Sequence, residues 1–406
     1  MAVGFKGLPA LHAVAGVRIG VAEAAIRKLN RRDLVVFELA PDSVVAAVFT
    51  RNAFCAAPVV VAKRHLQETS PRYWVVNTGN ANAGTGARGM NDANGTCLAL
   101  ANLTGCRADQ VLPFSTGVIG EPLPLDRLVA GLPAALANLS EHGWDTAAHG
   151  IMTTDTVPKG ATRQRVIAGR TVTVTGIAKG SGMIRPDMAT MLSYLATDAP
   201  VTQSALQAML RNAVNKSFNR ITVDGDTSTN DACVLVATGK AGGVVINSIT
   251  SPDYIALAEA VDSLCLELAQ AVVRDGEGAT KFISVQVEGG RNDGECEMVA
   301  YAIAHSPLVK TALFASDPNW GRILAAVGRA GVPELDLDAV VIHVDDVCIV
   351  RQGGRAADYA EAKGQAVFAR PEITISVNLA RGAARTTVWT CDFSYDYVRI
   401  NAEYRS

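Results

Sequence analysis

KGSGMIRPDMATMLSYLATDA, residues 179–199, is the most informative segment of the chain. A Gly-Ser-Gly turn leads into Met-Ile, Arg-Pro-Asp and Met-Ala-Thr, and an apolar run that reads as helix-like follows. Within it the bond between Ala189 and Thr190 is a candidate self-cleavage junction. A Thr hydroxyl can attack the carbonyl before it and turn the amide into an ester, which water then opens. The small side chain of Ala189 leaves that carbonyl accessible. The product is a Thr with a free α-amine beside its own hydroxyl. Such an amine has an unperturbed pKa of about 7.7–8.0, so a useful fraction is neutral near pH 7 and can act as general base. Ala-Thr dipeptides are common, and on these residues alone the plainer reading, Thr190 opening a buried helix, has the advantage.

The rest of the chain narrows the choices. It has 406 residues, with 37 Lys plus Arg against 39 Asp plus Glu, a net charge of 37 − 39 = −2. That balance argues against a nucleic-acid binder, which needs a basic excess or stripe. Hydrophobic residues make up 49%, enough for a folded core, while 5% aromatics leave aliphatic side chains to fill it. Eight cysteines occur with no CxxC pair, which suits reduced, mostly buried thiols in a cytosolic protein. The six histidines form neither HExxH nor a His–Cys cluster, so no metal site is expected. The N-terminus lacks a signal-peptide pattern, and no segment reaches the roughly 18 uninterrupted apolar residues of a membrane helix. The expectation is a cytoplasmic protein with no membrane partner.

Strand patterns recur at 33–40, 44–50, 171–175, 283–287, 340–350, 372–379 and 386–393. Between them lie helix patterns. Ser251-Pro252-Asp253 reads as an N-cap, a Pro in the first turn and an acid beside it. Leu257, Val261, Leu264, Leu268 and Val272 then repeat on one face, up to a stop near Asp275-Gly276. Helices are also expected over 124–139 and 202–214. The mixture is α/β.

Gly84, Gly86 and Gly89 spell GxGxxG after the apolar run 73–76. A dinucleotide turn should follow its strand at once, yet residues 77–83 intervene, and MNDANGTC is a poor opening for a helix. The stretch therefore reads as a Gly/Asn-rich loop. Asp224, Asp226 and Asp231 resemble a metal loop but lack the closing Glu of an EF-hand. They read as a structural loop near the junction, with Asp226 and Thr227 as weak site candidates. DPNWGR (317–322) offers Asn319 and Arg322 without a definable role.

Several blocks together resemble one family, the ornithine acetyltransferases or bifunctional glutamate N-acetyltransferases of arginine biosynthesis. They are FTRNAFCAAPVVVAKRHL (49–66), VVNTGNANAGTG (75–86), FSTGVIGEPLP (114–124), MTTDTVPK (152–159), KGSGMIRPDMATML (179–192), ITVDGDTSTND (221–231), DGEGATKF (275–282), SDPNWGRILAAVGRAG (316–331) and RINAEYRS (399–406). Asp187 and Glu403 stand where that family commonly has Asn and Asp; neither change removes a group the mechanism needs.

The resemblance implies that Thr190 is the nucleophile, freed by cleavage after Ala189. The α chain would be 1–189 and the β chain 190–406, interleaved in one catalytic unit and assembled as α2β2. Acetyl would pass from N2-acetylornithine to Thr190, releasing ornithine, and then to glutamate, giving N-acetylglutamate in a ping-pong cycle. Bifunctional members also take acetyl-CoA; no other cofactor is implied, and no CoA-binding motif is recognisable. Thr116 and Gly117 match the oxyanion hole. Lys179 and Glu277 match substrate-binding positions with charges for an amino acid's carboxylate and ammonium, and Thr153, Asn401 and Ser406 match the remaining ones. Taken alone, Ser115-Thr116-Gly117 would pass for a turn, Lys179 and Glu277 for surface charges, and 401–406 for a frayed tail. The implied fold is αββα, two stacked sheets flanked by helices as in self-cleaving aminopeptidases, with an adjoining α/β lobe. An amidohydrolase or aminopeptidase on the same scaffold is the first alternative, differing in whether water or glutamate takes the acyl group. An uncleaved binding protein for acetylated amino acids is the second.

Overall fold

The computed structural model describes residues 2–185 and 191–403. Strands β1 (Val17–Ala22), β2 (Leu34–Leu39), β3 (Val44–Phe49), β4 (Tyr73–Asn80), β5 (Val111–Val118), β6 (Lys159–Ile167), β7 (Arg170–Lys179), β8 (Leu192–Thr197) and β9 (Ala232–Ala237) build two sheets, ordered β1-β2-β4-β5 and β3-β9-β8-β7-β6. The sheets stack face to face. Phe37, Trp74, Phe114, Trp144 and Tyr194 meet between them, with ring centroids 5.1–6.1 Å apart. These large rings fill the space between the sheets that small side chains would leave empty.

Helices α1 (Ala57–Glu68), α2 (Gly86–Thr104) and α3 (Leu125–Ala137) cover the outer face of the first sheet, and the short α4 (Trp144–Gly150) follows. Helices α5 (Gln203–Lys216) and α6 (Pro252–Arg274) cover the outer face of the second. The Ser251 side chain caps α6 by accepting from the Tyr254 N–H, as its sequence pattern predicts. Leu257, Val261, Leu264, Leu268 and Val272 are all buried against that sheet. Each such side chain contributes about 1.5–3 kcal/mol.

Strands β10 (Phe282–Gly290), β11 (Val341–Val344), β12 (Val347–Arg351), β13 (Gly354–Arg355), β14 (Glu372–Asn378) and β15 (Ala384–Cys391) form a third sheet, ordered β13-β12-β11-β14-β10-β15. It carries its own core with α7 (Asp293–Ala304), α8 (Pro307–Phe314), α9 (Trp320–Gly328) and α10 (Glu361–Phe368). The last helix, α11 (Tyr395–Ala402), buries none of its residues. The αββα sandwich with an adjoining α/β lobe matches the expected fold.

Three local expectations need correction. The run after Met191 is strand β8, because its neighbours β7 and β9 pair with it on both sides. The stretch 340–350 is a hairpin, β11 and β12, turned at Asp345 with φ +48°. The Gly/Asn loop ends sooner than expected: β4 runs on to Asn80 and α2 begins at Gly86, through MNDANGTC. Strand β4, α2 and the parallel strand β5 therefore form a crossover unit.

All eight cysteines are unpaired, five of them buried. Among the described residues no helix is long and apolar enough to cross a membrane, and no cluster of three His, Cys, Asp or Glu could hold a metal.

Candidate active site

A cavity of about 280 Å³ opens at one end of the sheet sandwich, lined by Thr116, Gly117, Thr153, Lys179, Glu277 and Asn401. Separate segments deliver these residues. Thr116 and Gly117 lie just before the last residue of β5, Thr153 lies after α4, Lys179 is the last residue of β7, Glu277 follows α6 and Asn401 sits on α11. Thr190, Ala189 and Ser406, the other expected site residues, lie outside the described residues.

Gly117 has φ +137°, and a Cβ there would stand 2.2 Å from the Gly79 carbonyl carbon. Only glycine allows β5 to approach β4 this closely at its bulge. The Ser-Thr-Gly segment is therefore the end of a core strand and not an ordinary turn. Lys179 Nζ donates to Thr116 Oγ1 at 3.0 Å. Burial pushes the Lys179 ammonium below its ordinary pKa, and Asp155, Asp231 and Glu277 oppose that shift.

On the opposite wall, Asn401 Nδ2 donates to Glu277 Oε2 at 2.8 Å. Helix α11 is held by polar contacts. The Ser394 hydroxyl donates to the Gly278 carbonyl at 2.6 Å, and Tyr397 Oη donates to Asp224 at 3.4 Å. Gly182 faces this corner: a Cβ there would come within 2.4 Å of the Glu277 carboxylate.

Beneath the cavity lies a buried ion network that the sequence pattern does not reveal. Lys159 Nζ donates to Asp155 at 2.6 Å and to Asp275 at 2.7 Å, with all three side chains at most 1% exposed. Asp155 also accepts from the backbone N–H of Thr153 (2.9 Å) and of Gly180 (2.7 Å), so one carboxylate holds two walls. Asp275 accepts from the backbone N–H and hydroxyl of Thr156. Burial alone would raise the Asp155 pKa; Lys159 and Lys179 overcome it and hold the carboxyl well below the usual range. Asp155 and Asp275 stand inside two of the quoted blocks, MTTDTVPK and DGEGATKF, and that placement was their only signal. Ser228, Thr229 and Asn230 also line the cavity. Asn230 Nδ2 bridges the carbonyls of Ala81 (2.6 Å) and Ser115 (2.9 Å), tying the loop before β9 to β5.

The chain is anchored on both sides of the 186–190 stretch. Asp224 accepts from the N–H groups of Met183 (2.6 Å) and Ile184 (2.9 Å), and Thr227 Oγ1 donates to the Arg185 carbonyl. After it, the Met191 carbonyl accepts from the Ala232 N–H, and Leu192 pairs with Lys179. Asp224 thus joins Thr227 as an anchor, while Asp226 is exposed. Asn319 and Arg322 belong elsewhere: Asn319 caps α9 and Arg322 donates to the Leu308 carbonyl, fixing α9 against α8.

Charges of both signs around so small a space suit one amino acid at a time, and together with its relatives they mark an acetyltransferase of amino-acid biosynthesis. Comparison with known proteins agrees and is more specific. The ArgJ family model matches residues 18–406. The "Arginine biosynthesis bifunctional protein ArgJ" of Pseudomonas fluorescens (strain Pf0-1) is 58% identical over 406 residues, all of both chains. The protein of the same name from Pseudomonas syringae pv. tomato is 59% identical over the same length. A crystal structure of the Bacillus halodurans bifunctional protein argJ is 42% identical, covering 53% of this chain and 100% of that chain with a TM-score of 0.50. The chain belongs to the ArgJ family.

Proposed function

We propose that the chain cleaves itself between Ala189 and Thr190 and then transfers acetyl from N2-acetylornithine to glutamate through an acetyl-Thr190 ester. Ornithine leaves first and N-acetylglutamate second, with acetyl-CoA as a further donor. The observation that carries this reading is the convergence of Thr116, Gly117, Thr153, Lys179, Glu277 and Asn401 on one cavity, beside the anchored ends of the 186–190 stretch.

Each residue then has a task. The Gly117 N–H and the Thr116 hydroxyl stabilise the oxyanion of each tetrahedral intermediate, worth about 3–4 kcal/mol per donor. Thr190 attacks, and its own α-amine takes the hydroxyl proton and returns it to the leaving amine. Glu277, held by Asn401, receives the side-chain ammonium of ornithine. Lys179, Thr153 and the C-terminal Ser406 complete amino-acid recognition. Charged groups of both signs, Lys179 and Glu277, on the walls of one pocket support transfer over hydrolysis, because they would let glutamate bind and compete with water. The Bacillus halodurans chain gives independent support: it is matched in full yet covers 53% of this chain, the share of a 217-residue β chain, 217/406. The mature enzyme is read as cytoplasmic α2β2.

Intact mass and N-terminal sequencing test the reading. Two chains of 189 and 217 residues, the second beginning at Thr190, are expected, with Thr190→Ala giving one chain and no transfer. Active enzyme that remains a single polypeptide would overturn it. Assays with acetylornithine, with and without glutamate, separate transfer from hydrolysis.

A further inference from the structure

The contact between Lys179 and Thr116 carries a consequence for how the oxyanion hole works. A hydroxyl both donates and accepts, and its hydrogen rotates to suit its neighbours. An ammonium has three donors and no lone pair, so at 3.0 Å Lys179 must donate and Thr116 Oγ1 must accept. With that acceptor position filled, the Thr116 hydrogen points away from Nζ, and both side chains line the same cavity. A cationic donor also polarises the hydroxyl and strengthens the bond it makes onward.

We propose that Lys179 is a positioning residue for the oxyanion hole, which by donating to Thr116 turns that hydroxyl's hydrogen toward the reacting carbonyl. The inference rests on the acetyl-transfer reading above and changes the task of Lys179 within it. As a simple anchor for a substrate carboxylate Lys179 is poorly placed, since carboxyls already surround it. Asp155 approaches from the loop after α4, Asp231 from the turn before β9 and Glu277 from the turn after α6, with the Lys159 ammonium of β6 opposing. Asp155 and Glu277 offset much of its attraction for another carboxylate, while burial pushes the Asp231 carboxyl towards its neutral form, and the contact with Thr116 is its main contribution. Loss of its proton would let the neutral amine accept from Thr116 and withdraw the donor from the oxyanion. Burial brings that step below the ordinary lysine range.

The test is steady-state transfer from acetylornithine to glutamate, with kcat and KM measured separately across pH and maturation checked by mass. The variants are Lys179→Met, Lys179→Arg, Thr116→Val and the Thr116→Val/Lys179→Met double. Lys179→Met should lower kcat about 10²-fold while both KM values stay within about threefold. The double variant should be no slower than Thr116→Val alone, since both remove the same donor. Lys179→Arg keeps a donor that does not titrate; it should retain at least about a tenth of kcat and lose the alkaline fall of the wild type. Three results would overturn the proposal: a KM raised tenfold or more (about 1.4 kcal/mol) with kcat held, multiplicative losses in the double, or an unchanged alkaline fall in Lys179→Arg. If Lys179→Met fails to mature, the arginine variant decides alone. A wild type that transfers no acetyl at all would remove the acetyl-transfer reading itself, a distinguishable result.

Discussion

Lys159→Met should be among the most destabilising single changes in this protein, and a second ion pair of equal length supplies the control. Lys159 sits 2.7 Å from Asp275 with both side chains at most 1% exposed, and Lys216 sits 2.7 Å from Asp262 with side chains 69% and 26% exposed. Coulomb's law at one distance would rank them equal; the surroundings do not. Removing Lys216 leaves Asp262 to water, at a cost of about 0–1 kcal/mol. Removing Lys159 strands two carboxylates in the interior, at a cost of about 3–5 kcal/mol. At roughly 2 °C per kcal/mol for a large domain, the melting temperature should fall about 6–10 °C for Lys159→Met and about 2 °C or less for Lys216→Met. Thermal melts and urea midpoints at pH 7 give the comparison. Adding Asp275→Asn to Lys159→Met should recover part of the loss, because it removes one stranded charge. The sign with pH follows from Asp155, whose folded pKa is depressed. Its stabilisation is complete above the ordinary carboxylate pKa of about 3.9 and is lost as pH falls through the lower folded value. Equal melting losses for the two methionine variants would refute the reasoning that burial, and not distance, sets the worth of these pairs.

Gly182→Ala should press a methyl group onto Glu277 and, through about an ångström of displacement, lower kcat/KM for acetylornithine about 10²-fold, with the fold intact by circular dichroism. Asn401→Asp replaces a donor to Glu277 by a like charge 2.8 Å away; activity should fall sharply while the melting temperature moves little, since α11 buries none of its residues. His305 has its pKa lowered to about 4 by burial and by Arg185, Lys310 and Arg329. Its folded pKa lies below the unfolded 6.5, so stability is full above pH 6.5 and falls by up to about 1.4 kcal/mol per unit toward about 4; His305→Gln should flatten that slope in urea titrations.

What the residues disclosed in advance depended on how local the signal was. Ser251, Pro252 and the leucine stripe behind them specify α6 from neighbouring positions alone, and the helix follows that reading nearly to the residue. The cavity residues were nameable only through the resemblance, because nothing near Lys179 or Glu277 says that the chain will enclose them. Strand β8 misled for the opposite reason: buried on both faces, it loses the alternation that marks a half-exposed strand. The start of α2 hid behind glycines that usually interrupt helices, yet Gly89 leaves room for the Thr85 hydroxyl, which a Cβ there would meet at 2.2 Å. The Lys159 network was invisible because its members lie 116 and 4 residues apart and only the folded chain gathers them.

The seam between β7 and β8 has a mechanical consequence. Six cross-strand pairs, from Val174–Thr197 to Lys179–Leu192, join the part of the chain before residue 185 to the part after 191. Hydrophobic layers clasp both sides of that seam. Backbone continuity through residues 186–190 is therefore redundant as a fastener. A severed chain would stay whole as a dovetailed joint does, and each half made alone would present a raw sheet edge seeking the missing partner.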